Sequence, residues 1–252
     1  MMVMCLAVTI AWMGRTRRGR PALVLAGILF FGGCVAAGSF SGIIGLGVVV
    51  LALGLLMRRL LAFLAGLVPA GVLAAAVFWP VIAARLAGFD TRLALPPSWL
   101  GRLENLQRFF WPELFSGWNW LWGVRPAARV VAPESWRQFV FIESGHTWLL
   151  WVGGVPLLVA YLLFTWVIVR TLAKTAVRDP GPIGVAASAG MAAAAMIFVL
   201  MLFDPHLTVR GSADLFFPLI ALSLVGQAES SRRAAVPENP TRPSEDAEPN
   251  HA

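Results

Sequence analysis

Long apolar runs alternate with short basic turns through most of this chain, and the pattern breaks once. From Pro21 to Ala37, Ile43 to Met57, Leu60 to Trp79, His146 to Val169, Gly184 to Phe203 and Leu215 to Val225 the residues are almost all apolar. The runs are continuous rather than alternating, so they predict helices and not strands. A helix needs about 20 residues to cross a hydrocarbon core. Inside lipid every backbone N–H and C=O must be satisfied within the element. The expected fold is all-α: a polytopic transmembrane helical bundle of about six full spans. Met1 to Met13 is apolar but too short to span. It predicts an N-terminal partial span, the tail end of a longer ancestral helix. Its basic cluster follows it, where a signal segment would have the cluster in front.

The break lies between Pro80 and Gly145. This polar stretch holds Trp99, Trp111, Trp118, Trp120, Trp122 and Trp136, with Arg92, Arg102, Arg108, Arg125, Arg129 and Arg137. Pro96-Pro97-Ser98 reads as a helix start with Ser98 as N-cap. Trp99, Leu103, Leu106 and Phe110 recur at helical spacing, opposite Glu104, Gln107 and Arg108. They predict an amphipathic helix lying on a membrane surface and ending at Pro112. Pro133-Glu134-Ser135-Trp136-Arg137 predicts a short second helix. The expected organisation is residues 1–79 as N-terminal transmembrane helices, 80–145 as a Trp/Arg-rich loop and 146–226 as C-terminal transmembrane helices. Residues 227–252, rich in Pro, Glu, Ser, Arg and Asn, have too little apolar surface to fold and predict a disordered tail.

Composition agrees with a membrane chain: 13% of residues are charged and the mean hydropathy is +0.75, where a soluble domain carries roughly 25% charged residues. The net charge of +7 and pI of 11.1 would fit nucleic-acid binding. The basic residues instead cluster at the ends of apolar runs, where the positive-inside rule places them. Arg15, Arg17, Arg18 and Arg20, then Arg58 and Arg59, then Arg170, Lys174 and Arg178 each mark a cytoplasmic turn. Counting spans from these turns makes 80–145 one large extracytoplasmic loop and puts the turn Asp204 to Asp214 on the same side. The tail then lies in the cytoplasm. A single lysine, Lys174, among so much Ala, Gly and Arg suggests a GC-rich bacterial genome, and hence a bacterial plasma membrane. Cys5 and Cys34 fall in apolar runs and read as small buried hydrophobes.

The loop carries the candidate chemistry. Flat rings suit sugar faces and lipid–water boundaries, and guanidinium forks suit phosphate. Glu104 precedes Arg108 by four residues, so the two can pair. Arg102 has Ser98 and Leu106 at the equivalent positions and no local acid. It is either free to bind a phosphate or snorkels toward headgroups. Arg125 and Arg129 flank Pro126 and form one anion-binding patch if the turn is compact, or two solvated cations if it is not. Trp118, Trp120 and Trp122 read as an interfacial belt or as a sugar platform. Glu143 and His146 stand where the chain returns to the membrane. They read as an acid–base pair or as the polar cap of a helix start. Asp204-Pro205-His206, with Arg210 close behind, lies on the same side. These separate His–acid pairs lack a zinc spacing, so no metal is assigned. The absence of a Walker loop, a dinucleotide fingerprint and a Gly-x-Ser-x-Gly elbow leaves no cofactor to assign.

The order of these features resembles the C-terminal half of the bacterial O-antigen ligase and polysaccharide polymerase superfamily. The resemblance rests on Gly101-Arg102 in the loop helix, on Pro112 to Gly123-Val124 after it, and on the run from Glu143 through His146 and Gly153-Gly154 to Leu157. It covers roughly residues 15–225, with Phe40 standing where the family often has arginine, and with a shorter spacing from His146 to Gly154. It implies an N-terminally truncated relative of metal-independent, cofactor-free, inverting membrane glycosyltransferases. These take a glycan from a polyprenyl-pyrophosphate carrier on the outer face and pass it to a glycan or lipid acceptor during cell-envelope polysaccharide or exopolysaccharide assembly. By position, Arg102 matches the family's loop arginine and His146 its returning histidine. The implied catalytic set is His146, Glu143 and Arg102. Arg125, Arg129, Trp118, Trp120, Trp122, His206 and Arg210 would bind substrate. Partners would be membrane lipids and other polysaccharide-assembly proteins. The rival expectation is a non-enzymatic membrane transporter or assembly partner for lipid-linked glycans. A transporter should carry ionisable groups at mid-membrane depth, and the predicted spans hold almost none apart from Asp214.

Overall fold

The computed structural model describes residues 1–16, 19–37, 39–87, 97–127, 129–132, 138–208 and 212–235. Its helices are α1 (Met2–Met13), α2 (Arg20–Ala36), α3 (Phe40–Leu56), α4 (Leu60–Val77), α5 (Trp79–Leu86), α6 (Pro97–Asn105), α7 (Trp111–Leu114), α8 (Asn119–Trp122), α9 (Gly145–Arg178), α10 (Pro182–Leu200) and α11 (Ser212–Ala235). Two short strands, β1 (Arg129–Val131) and β2 (Phe139–Phe141), lie between α8 and α9. Helices α4, α9 and α10 are long and apolar enough to cross a membrane, while α1, α2, α3 and the first part of α11 are shorter apolar helices.

Helix α10 is the centre of the bundle. Its Ala187, Ala189, Ala192 and Ala193 are fully buried, and it packs against α9, α3, α11 and α1. Small side chains let neighbouring backbones approach closely where dispersion rather than water exclusion drives packing. The short α1 belongs to this core, since Met4, Ala7 and Ala11 are fully buried.

Element ends depart from the expected ones for local reasons. Ser39 is the N-cap of α3, its Oγ accepting from Gly42 N–H at 3.2 Å. Phe40 to Gly42 are therefore helical, and α3 starts three residues before the apolar run that begins at Ile43. Pro80 does not open the loop. It sits in the first turn of α5, where the missing N–H has no intrahelical partner to lose. Helix α11 continues through Gln227 to Ala235, so the tail is helical at its start. Ala, Gln, Glu and Arg are good helix formers, and extending an existing helix avoids nucleation. Residues 236–252 lie outside the described residues, as does the predicted helix Pro133 to Arg137.

The fold is not purely α. Strands β1 and β2 pair antiparallel, with Arg129 opposite Phe141, Val130 opposite Val140 and Val131 opposite Phe139. β-branched and aromatic residues suit a pleated surface, but three-residue strands are too short to give a periodic signal.

The two ends of the bundle differ. At one end Gly14, Arg15, Met57, Arg59, Ala176 and Val177 line one cavity, so the basic turns after α1 and α3 meet the last turns of α9. Arg15 fixes this end. It donates through Nη1 to the Asp179 carbonyl, and through Nη2 to the Ala176 carbonyl at 2.5 Å and Ser188 Oγ at 2.8 Å. Those carbonyls are the orphan acceptors of a helix C-terminus. At the other end Trp99 of the loop stacks on Phe203 at 4.6 Å and meets Phe40 edge-on at 6.3 Å. The Trp/Arg loop therefore sits opposite the basic turns.

Candidate functional site

A break in α9 organises the loop end. Gly153 (φ −143°, ψ 15°) and Gly154 (φ 63°, ψ −162°) interrupt the helix and separate a leading segment, 145–152, from the long apolar remainder. The Gly154 geometry is essentially restricted to glycine. The preceding loop fills the gap. A Cβ on Gly154 would fall inside the contact shell of the Leu121 carbonyl and 2.7 Å from Trp122 N. Gly123, at φ 89°, faces Val152 so closely that a Cβ would meet its carbonyl at 2.9 Å. The Trp151 carbonyl, freed by the break, accepts from Val124 N–H at 2.7 Å. The Gly123-Val124 turn and the Gly153-Gly154 pair are thus two halves of one joint.

The leading segment is fixed at three further points. Ser144 is its N-cap, accepting from Thr147 N–H at 3.4 Å. Gly145 N–H donates to the Met201 carbonyl at 2.7 Å and His146 N–H to the same oxygen at 3.3 Å. Trp151 is fully buried, and its indole N–H donates to the Ala127 carbonyl at 2.9 Å.

Helix α6 brings Arg102 to this frame. The helix runs through a π-helical segment, Leu106–Phe110, into α7 and does not end before Pro112. Pro112 cannot donate to the Arg108 carbonyl and its ring crowds that oxygen. A widened turn accommodates both constraints. Leu106 and Phe110 of the apolar stripe pack, together with Leu114, against Ile142 and Trp151 in a buried cluster. Only Leu103 of that stripe is exposed. Arg108 lies over the Phe109 ring at 5.1 Å.

Arg102 is the centre of a polar cluster and is not a free cation. Its Nη1 donates to the Phe203 carbonyl at 2.8 Å. Its Nε lies 3.8 Å from Glu143 Oε1, and its Nη2 lies 3.6 Å from Asp204 Oδ2. The partners come from across the fold, which is why no helix-spacing rule revealed them. Glu143 therefore faces Arg102. His146 faces Tyr161 and Phe198, with ring centroids 5.9 and 5.4 Å away. Its Nδ1 is buried without a hydrogen-bond partner among the described residues. His206 shares the Arg102 cluster, its Nε2 buried and likewise unpartnered. Burial holds its imidazole below the ordinary histidine value; Asp204 opposes that shift, and Arg102 adds to it. The cluster thus gathers the Arg102 guanidinium, the Glu143 and Asp204 side chains and the His206 imidazole.

The second polar site is cationic. Arg125 and Arg129 line one cavity of about 590 Å³ with Gln138 and Phe139. Arg125 pairs with Glu113 at 3.6 Å and stacks over Trp151 at 5.5 Å, while Arg129 lies over Phe139 at 5.5 Å. Gln138 has a left-handed backbone, φ 60°. Trp118 and Trp120 stack at 6.5 Å, and Trp118 and Trp122 are each 70% exposed. Arg210 lies outside the described residues.

Comparison with known family models, curated proteins and solved structures gives no match. The functional reading therefore rests on residues and geometry. Sequence reasoning singled out Arg102, Glu143, His146 and His206 separately, and the fold brings Arg102, Glu143 and His206 into one cluster. It did not single out Asp204 as an ion-pair partner of Arg102, Glu113 as the partner of Arg125, or Tyr161 and Phe198 as the walls around His146. The nearest sequence signal was the aromatic and acidic composition of the elements that carry them.

Proposed function

We propose that this chain is a polytopic membrane protein of surface-polysaccharide assembly that transfers or polymerises glycan from a polyprenyl-pyrophosphate carrier. Its Trp/Arg loop faces away from the cytoplasm, and the short apolar helices complete a bundle of about six spans. The carrying observation is the meeting of Arg102, Glu143, Asp204 and His206 at the end of the bundle remote from the basic turns. His146 lies on the segment that follows Glu143.

The chemistry joins an acceptor hydroxyl oxygen to the anomeric carbon of the donor. The carbon–oxygen bond to pyrophosphate breaks, and the leaving group takes the electron pair. Glu143, His146 or His206 accepts the hydroxyl proton, and a neutral imidazole suits that task near neutral pH. The negative balance around Arg102 suits acceptor activation, with the guanidinium positioning Glu143 and Asp204. The Arg125 and Arg129 cavity suits the departing pyrophosphate, because opposite charge aimed at developing charge is stabilising. Trp118, Trp120 and Trp122 supply ring faces for sugars.

The direct test is transfer from a synthetic lipid-linked oligosaccharide by the purified chain. R102A and H146A should each abolish transfer, and undiminished transfer in both would remove their roles. Sidedness is tested by labelling S116C in intact cells with an impermeant maleimide. Labelling only after lysis would refute an extracytoplasmic loop. The second reading, a non-enzymatic partner in lipid-linked glycan assembly, draws on the same ion pairs, since a guanidinium held by two carboxylates and a carbonyl is also a clamp. Binding of the lipid-linked glycan without turnover by the wild-type chain would favour it.

A further inference from the structure

We propose that the opposite end of the bundle carries a phospholipid headgroup site at the α3–α4 turn, with Arg59 as the phosphate-binding residue. Helix α3 ends in a Schellman-type pattern: Arg58 N–H donates to the Leu55 carbonyl at 3.1 Å and Arg59 N–H to the Gly54 carbonyl at 2.9 Å. That ending requires a left-handed residue, and glycine normally supplies it at no steric cost. Here Arg58 supplies it at φ 53°. A strained non-glycine residue held in a turn is a reason to look for a site there. The turn makes Arg59 the N-cap residue of α4 and places it on the wall of a cavity of about 320 Å³. Arg15 is the other cation on that wall, and Leu56, Met57, Phe63 and Val177 supply apolar surface.

The charge balance selects Arg59. The C-terminal ends of α1, α3 and α9 converge here, each carrying about half a negative charge, and Asp179 lies beside Arg15. Arg15 meets that negative potential directly through the Ala176 and Asp179 carbonyls. Arg59 is exposed and has no ion pair among the described residues. Its charge is the one on this wall left to meet an incoming phosphate.

The apolar side of the cavity selects a lipid over a free anion. Leu56, Met57, Phe63 and Val177 line it, and Val177 is 73% exposed. Helix α4 has membrane-spanning length. A phosphodiester at Arg59 would lay an acyl chain against these side chains, whereas a soluble phosphate leaves them uncovered. A guanidinium fork is suited to phosphate oxygens.

The test is native mass spectrometry of the full chain in detergent with added phosphatidylglycerol, for wild type, R59Q and R58G. Each variant removes one charge from the same turn, and R58G also relieves the left-handed strain. R59Q should weaken retention of the lipid about tenfold, the effect of one charge-assisted contact, while R58G should retain it as wild type does. Equal losses in the two variants would mean diffuse surface charge and would overturn the site, as would an unchanged R59Q. On the wild-type chain, diacylglycerol should not be retained; retention equal to phosphatidylglycerol would overturn headgroup recognition. Complete displacement by millimolar inorganic phosphate would mean a free-anion site and would overturn the lipid.

Discussion

Replacing Gly154 with alanine tests whether the joint in α9 holds the loop end together. The native φ of 63° and ψ of −162° lie in a region that non-glycine residues occupy only at a cost of about 1–3 kcal/mol. The added Cβ also overlaps the Leu121 carbonyl and lies 2.7 Å from Trp122 N, both backbone atoms that cannot swing aside like a side chain. Moving α8 away would stretch the bond from Val124 N–H to the Trp151 carbonyl, which is worth about 1 kcal/mol. The combined loss is about 3 kcal/mol or more, equivalent to a fall of about 10 °C in Tm for a chain of this size. Thermal unfolding of the detergent-solubilised chain, followed by the fluorescence of its 11 tryptophans, measures it. G101A is the matched control. Gly101 is helical, and nothing lies within 4 Å of where an alanine methyl would stand, so alanine there should be neutral or stabilising by about 0.5–1 kcal/mol. A G154A protein melting with wild type and G101A would refute the joint.

Acid should weaken the loop end. A histidine whose folded pKa is depressed contributes stability that is complete above its unfolded value, about 6.5, and that is lost as pH falls through the folded value. Unfolding scans from pH 7.5 to 5 should show this decline, and H206Q should flatten it. R15A removes three hydrogen bonds at the basic end and should cost about 2–3 kcal/mol, read as a lowered Tm. E143Q should change stability by less than about 1 kcal/mol, because the pair with Arg102 is more than a third exposed on the acid side, while transfer activity falls. W118A combined with W122A should leave Tm within about 0.5 kcal/mol of wild type, as expected of exposed side chains, yet weaken retention of a lipid-linked glycan.

The apolar runs were legible because a continuous hydrophobic stretch has few alternatives to helix. Their ends were less so. Ser39 acts through one hydrogen bond and Pro80 through a missing donor, each at a helix start, and Gln227 to Ala235 is helical by attachment to α11 and not by apolar content. The strands 129–131 and 139–141 were invisible because three residues cannot display a period. In the site, the individual residue types signalled chemistry, but their partners did not. Arg102 lacks an acid at helical spacing and finds two, at Glu143 and Asp204, through tertiary contact. Leu106 and Phe110 of the predicted stripe are apolar as their spacing implies, and they pack on Trp151. The Gly153-Gly154 pair is readable as a motif, yet its role is visible only with Gly123 pressed against it.

The amides of Gly145 and His146 close on the carbonyl of Met201, and Arg102 closes on the carbonyl of Phe203. Both anchors lie just beyond α10, far downstream of the groups they hold. A ribosome making this chain releases the tryptophan segment long before it releases the residues that lock it. Assembly of the polar centre is therefore a late event in biogenesis, and a nascent chain stalled within α10 would hold Arg102 and His146 without the Phe203 and Met201 carbonyls that anchor them.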